Sequence, residues 1–250
     1  MLKLARHLDS YNLPDDKESL KRLLRDTRAS FRGSLKRKDK TRFLLVAEER
    51  PSGKLAGCSL IIARHGTPEL PHLAFRLGSA KKTSCFLCKR VDHTVLKLVV
   101  EPAGFTEIGG LVVLPGHRHL KEKLGKQLSY ARFAYMARHP GKFRPKVIAE
   151  YLPKLAPGGK GNALWEALGK KFTGLSYREA DRLSATNKEF ILKLFPRENI
   201  YGCFLPDVVV RHLGTPGPGA KVSLQMLSKI GFHYLNQIDP FDGGPHYGAM

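Results

Sequence analysis

"EIGGLVVLPGHRHLKEKLGKQL", residues 107–128, changes its hydrophobic period halfway along. Residues 107–115 form an apolar run of strand length that contains two adjacent glycines. Beyond the proline–glycine pair the leucines return at helical spacing. Leu120, Leu124, Leu128 and Ala131 fall on one face with Tyr135 nearby, which predicts an amphipathic helix over residues 118–138. A strand that feeds a helix through a short loop belongs in a mixed α/β protein.

The flanking sequence fits that class. Asp15, followed three residues later by Glu18, marks a helix start, and Leu20, Leu23, Leu24 and Phe31 keep one face of that helix apolar. "RFLLVAEE" (42–49) and "LAGCSLIIA" (55–63) read as strands joined by the turn residues "PSGK" (51–54), hence as a hairpin. "HLAFRLG" (72–78) and "HTVLKLVVE" (93–101) are further strands. Downstream, "KVIAEYL" (146–152) returns to strand and "PGGKGN" (157–162) is a loop. Helical patterns follow at 164–172, 177–185, 188–195 and 207–212, then a rigid connection "GTPGPGA" (214–220), a helix over 222–230 and a last strand "FHYLNQID" (232–239). With no repeat, low-complexity tract or linker, residues 1–250 read as one mixed α/β domain.

Composition narrows the function classes. The chain has 250 residues, 42% of them hydrophobic, enough for a core. No apolar run is long enough to cross a bilayer, and "MLKLARHLDS" lacks the apolar stretch of a signal peptide, so a cytoplasmic protein without a membrane partner is expected. The net charge of +21 calls for an acidic partner: nucleic acid, an anionic surface or a phosphate-rich cofactor. The densest basic stretch, residues 21–42, reads as a solvated helix face and loop, because aromatics are not interleaved with it as base stacking requires. Nucleic acid is therefore not the expected partner. Cys85 and Cys88 in "SCFLCKRVDHT" (84–94) have metal-binding or redox spacing, but Cys58 and Cys203 are distant and there is no second close Cys/His pair. No metal is expected.

The stretch "LWEALGKKFTGLSYREADRLSATNKEFILKLFPRENIYGCFLP" (164–206) resembles the arginine N-succinyltransferase family. The likeness rests on Trp165, Leu168, Gly169, Phe172, Ala180, Asp181, Leu183, Lys188, Phe190, Ile191, Leu194, Pro196, Ile200 and Tyr201. "KVIAE" (146–150), "IDPFDGGP" (238–245), "LAGCSLIIA" and "FRLG" fit further family segments, so the resemblance covers most of the chain. It implies a GNAT-like fold, a twisted mixed sheet with helices on both faces. It also implies transfer of a succinyl group from succinyl-CoA, or a related acyl-CoA, to the α-amine of arginine in arginine catabolism, with a homo- or hetero-oligomer that includes a related subunit. Set against the family, the resemblance leads one to expect a chain that enters at the first helix, without the family's first strand and C-terminal extension.

The resemblance also distributes roles. Amine attack on a thioester needs a proton acceptor, a donor for the oxyanion and a grip on the acyl-CoA. The backbone of Gly110, Leu111 and Val113 falls where the family holds succinyl-CoA, and Arg118, Lys121, Lys123 and Gly125 fall in its phosphate loop. Lysines replace glycines there and hold phosphate as point charges without glycine's backbone freedom. Family histidines are replaced by Pro102 and Gly217, and a family glutamate by Ile62. Glu107 then becomes the candidate general base and His212 the remaining histidine near the second gap. Glu150, Asp239 and Asp242 are the candidate carboxylates for a guanidinium. Two alternatives stand beside this reading: a non-catalytic CoA-binding partner subunit, and a basic nucleic-acid-binding protein.

Overall fold

The structure is a computed structural model that describes residues 1–7, 13–50, 52–154 and 163–250, with Lys38 described in its backbone alone. The loop expected at 157–162 and the first residue of the expected turn at 51–54 lie outside the described residues.

The helices are α1 (Leu2–Ala5), α2 (Lys17–Arg32), α3 (Leu124–Arg138), α4 (Lys170–Thr173), α5 (Tyr177–Ser184), α6 (Glu189–Leu194), α7 (Asp207–Val210) and α8 (Lys221–Ser228). The strands are β1 (Arg42–Glu48), β2 (Leu55–His65), β3 (His72–Ser84), β4 (Lys89–Glu101), β5 (Phe105–Val113), β6 (Val147–Glu150), β7 (Ile200–Tyr201), β8 (His233–Ile238) and β9 (Pro245–Ala249). The chain divides into two compact units: residues 1–66, 104–149 and 249–250 form unit 1, and residues 67–103 and 150–248 form unit 2.

Unit 1 carries the strand order β1-β2-β5-β6. The first three strands run antiparallel, and β5 and β6 run parallel. α2 starts on Asp16 rather than Asp15: Asp16 takes the extended conformation of a cap, and its carboxylate accepts from the Ser19 N–H at 2.8 Å. Leu4, Leu20 and Leu23 pack on one sheet face against Leu44, Cys58, Leu60, Ile62 and Val112. α3 covers the other face. The Ser59 hydroxyl donates to Leu128 O at 3.0 Å, and a Cβ at Gly57 would stand 2.8 Å from the Leu128 side chain.

α3 departs from its expected limits. It begins at Leu124, because Lys123 takes a left-handed conformation (φ 50) and breaks the helical path, and Leu120 is left exposed in the preceding loop. Its buried residues are Leu128, Ser129, Arg132 and Met136, so its inward face is half polar.

Unit 2 carries the order β9-β8-β3-β4-β7, antiparallel where the pairing is described. β3 and β4 form a longer hairpin than expected, with continuous register from His72↔Glu101 to Ser84↔Lys89. Residues 85–88 are its turn, with both cysteines exposed and Cys88 at φ 46. β8 is not the last strand, since β9 follows it.

The family-like stretch builds the unit 2 core. Trp165 is fully buried, stacks on Phe241 (centroids 4.8 Å apart, planes 9° apart) and donates its indole N–H to Leu175 O at 2.9 Å. The backbone widens to a π-helix over Trp165–Gly169, and a Cβ at Gly169 would collide with the indole. Leu168, Ala180, Ile191, Phe195 and Leu205 complete the cluster against Phe75, Leu96 and Ile238 of the sheet.

Candidate active site

The glycine pair of the opening stretch makes a β-bulge. Cys58 pairs with Val112 and Leu60 with Gly109, so three steps along β5 answer two along β2. Gly110 takes φ 58, and a Cβ there would lie 2.9 Å from Leu60 Cβ; of the two glycines it is the one that both backbone and space require. Two side chains pin the bulge: the buried Arg132 reaches Gly109 O at 3.4 Å, and the Cys58 thiol donates to Gly110 O at 3.6 Å. Burial pushes that thiol up to about 12, so it stays protonated as a donor. β6 pairs with β5 only at Thr106↔Val147 and Glu107↔Ile148. Among the described residues, no strand neighbours residues 108–113 on that side. Leu111 is half-buried there, and Val113 is buried.

Beyond β5 the expected phosphate residues Arg118, Lys121 and Lys123 are exposed and Gly125 is half-buried. Arg118 donates its Nε to Val113 O at 2.9 Å and so ties the loop to the strand. Lys121 and Lys123 are exposed, and no acidic residue stands in the first turn of α3. The left-handed position that favours glycine is filled by Lys123. Gly125 has ordinary helical geometry, with room for a Cβ at 3.8 Å from Val113.

Glu107 is 1% exposed, and its Oε2 lies 2.5 Å from His65 Nδ1. The Arg42 guanidinium is charge-coupled to Glu107; Arg42 itself is lowered from its ordinary value, chiefly by burial, with Glu107, Asp26 and Asp39 opposing. His65 was not expected from sequence, where it stands two residues beyond an apolar strand.

In unit 2 the expected substrate acids meet two further histidines that sequence reasoning missed. Glu150, Asp239 and His246 have ligating atoms within 4.8 Å of one another. His72 Nδ1 lies 3.6 Å from Glu150 Oε1, and the His72 and His246 rings are 5.1 Å apart. Both rings are buried, while Glu150 keeps 26% of its side-chain surface. A histidine-and-carboxylate set of this kind can hold a divalent cation, and its carboxylates are equally the partners a guanidinium takes. Asp239 Oδ1 accepts from the Phe241 and Asp242 N–H groups at 2.7 and 3.1 Å, and Asp242 Oδ1 accepts from Gly244 N–H at 2.7 Å. Both acids thus brace the "DPFDGG" turn. Burial, then the neighbouring Asp239, raises the Asp242 carboxyl well above the ordinary range, and Asp181 is raised for the same two reasons. His212 is outside this group: it ends the α7 region, with Nδ1 hydrogen-bonded to Val208 O at 2.6 Å. These histidines lie far apart in sequence, so no spacing signals them.

Comparison with known proteins fits this arrangement. The family described as AstA, arginine N-succinyltransferase beta subunit, matches residues 1–250. The arginine N-succinyltransferase subunit alpha of Pseudomonas aeruginosa is 32% identical over 236 residues, 94% of this chain and 68% of that one. Subunit beta of the same organism is 32% identical over 234 residues, 93% of this chain and 67% of its own. The arginine N-succinyltransferase of Citrobacter koseri is 32% identical over 235 residues, 94% of this chain and 67% of that one. The solved structure of the arginine/ornithine succinyltransferase subunit AI from Pseudomonas aeruginosa superposes with a TM-score of 0.78 at 30% identity, covering 99% of this chain and 72% of that one. The GNAT-like mixed α/β fold expected from the sequence is therefore the fold observed. The chain belongs to the arginine N-succinyltransferase family.

Proposed function

We propose that this protein is an N-acyltransferase that moves a succinyl group from succinyl-CoA to the α-amine of arginine, in arginine catabolism, working with a related subunit. The observation that carries the reading is β5. Its bulge at Gly110 and the early departure of β6 leave backbone of residues 108–113 without a strand partner on one side among the described residues, and extended acyl-CoA can lie along such an edge. Arg118, Lys121 and Lys123 lie between that strand and the start of α3, where cations and helix N–H groups favour phosphates. The relatives named as alpha and beta subunits support a partner of the same family.

Within unit 2, the exposed share of Glu150 and the carboxylate of Asp239 carry charge of the kind a guanidinium pairs with. Asp242, raised toward its protonated form, serves the turn. Acid–base work falls to the Glu107 end of β5, where the carboxylate meets His65. No helix among the described residues is long and apolar enough to cross a membrane.

The test is release of free thiol from succinyl-CoA by the purified protein. Release that requires arginine and saturates in both substrates is expected. Absence of release at saturating concentrations of both, with or without the related subunit, overturns the reading.

A further inference from the structure

We propose that His65 is the catalytic base of this acyl transfer and that Glu107, the sequence's own candidate, is its positioning residue. The proposal rests on the succinyl-transfer reading above.

Three observations carry it. The first is burial. Glu107 is 1% exposed, which removes it from direct contact with an incoming amine, whereas the His65 side chain is 26% exposed. The second is geometry. Glu107 Oε2 lies 2.5 Å from His65 Nδ1, the arrangement in which a carboxylate fixes an imidazole's tautomer and leaves the chemistry to Nε2. The third is how the backbone brings the two together. Ile62 pairs with Glu107 and His65 with Phe105, so β2 takes three steps where β5 takes two. This second bulge returns His65 to the sheet face that Glu107 occupies; in a regular ladder Arg64 would stand there. The Phe105 ring stacks beside the imidazole (centroids 5.9 Å apart, planes 13° apart). At the strand ends Gly104 packs so closely on the His65 and Gly66 carbonyls that only glycine fits.

The chemistry follows. A phosphate grip beyond the C-terminal end of β5 sends the acyl arm back toward Gly110, so the acceptor approaches from the half of the strand that carries Glu107. The α-ammonium gives a proton to His65 Nε2, directly or through one water. The freed nitrogen lone pair attacks the thioester carbonyl, forming the C–N bond. The tetrahedral intermediate then expels the CoA thiolate as the C–S bond breaks. The nitrogen loses a second proton; of the two protons released, one passes from the imidazolium to the thiolate and one to solvent. Glu107 beside the ring stabilises the imidazolium between these steps.

The experiment compares the unaltered protein with His65→Ala, His65→Gln and Glu107→Gln in the thiol-release assay with arginine and succinyl-CoA. Thermal stabilisation by CoA serves as the check on folding. His65→Gln retains a donor for Glu107 and is the variant to use if His65→Ala does not fold. Both His65 variants are expected to lose about 10²–10³-fold in kcat, with KM for succinyl-CoA within about twofold of the unaltered protein. Added imidazole is expected to restore part of the rate of His65→Ala in proportion to its concentration. Glu107→Gln is expected to lose about tenfold, since it misplaces the base without removing it. Release that both His65 variants sustain at the unaltered rate overturns the base assignment alone. Absence of release by the unaltered protein overturns the succinyl-transfer reading and this assignment together.

Discussion

The Trp165–Phe195 part of unit 2 and the β5–α3 part of unit 1 are built on opposite principles. In the unit 2 part the buried residues are held by shape. Trp165 fills a closed space against Phe241, and Gly169 is glycine because the indole leaves no room for a Cβ. In unit 1 the candidate chemistry rests on backbone path: a bulge at Gly110, a second one before His65, a left-handed turn at Lys123 and a strand edge that no strand among the described residues covers. Shape-determined positions resist substitution and keep a readable motif. Path-determined positions accept many side chains and leave little trace.

Substitutions at both kinds of position can break or sharpen that contrast. The largest stability loss is expected at Trp165→Ala, about 3–5 kcal/mol by chemical denaturation, from a lost aromatic and the cavity it leaves. Gly110→Val comes next, at about 2–3 kcal/mol, because a β-branched residue is forced to positive φ and against Leu60. That variant should also lose acyl-CoA affinity out of proportion to its stability, read by titration calorimetry, whereas Trp165→Ala should not while it remains folded. Arg132→Ala should cost about 2 kcal/mol and loosen the bulge by removing the guanidinium from Gly109 O and the Ser129 hydroxyl.

Asp242→Asn tests the acid turn through pH. The folded carboxyl is raised above its unfolded value, so the folded state holds the proton more tightly. Stability from this group is full below the ordinary carboxylate range and is lost as pH rises from that range through the raised folded value. Asparagine cannot ionise. The variant should therefore gain in melting temperature relative to the unaltered protein at pH 8 and show less or no gain at pH 4. The smallest effect is expected at Lys123→Gly, a gain of up to about 1 kcal/mol, as left-handed strain at a lysine is relieved.

The same contrast explains what the sequence made legible. The β1–β2 hairpin, β5, β6 and the four helical segments between 164 and 212 were readable, because alternation and 3.6-residue spacing reflect burial directly. α3 was placed six residues early because Leu120 continues its leucine spacing while Lys123 redirects the chain, and its buried face carries Ser129 and Arg132 rather than a full apolar stripe. β9, "PHYGA", was missed because proline and glycine mask a five-residue strand. The outer halves of β3 and β4 carry mostly exposed lysines and polar residues, which left no burial pattern to read, and Cys85 and Cys88 proved to be the turn between them. Within the candidate site, the sequence also points to Glu107 and the β5 backbone. It does not point to His65, because a bulge, which leaves no sequence spacing, sets it beside Glu107.

The central claim is that succinyl-CoA lies along the β5 edge and meets the start of α3. Hydrogen–deuterium exchange with and without succinyl-CoA measures this most directly. Slowed exchange at the amides of residues 110–113 and 124–126 is the predicted result. Unchanged exchange there at saturating succinyl-CoA, with protection appearing elsewhere in the chain, would contradict it.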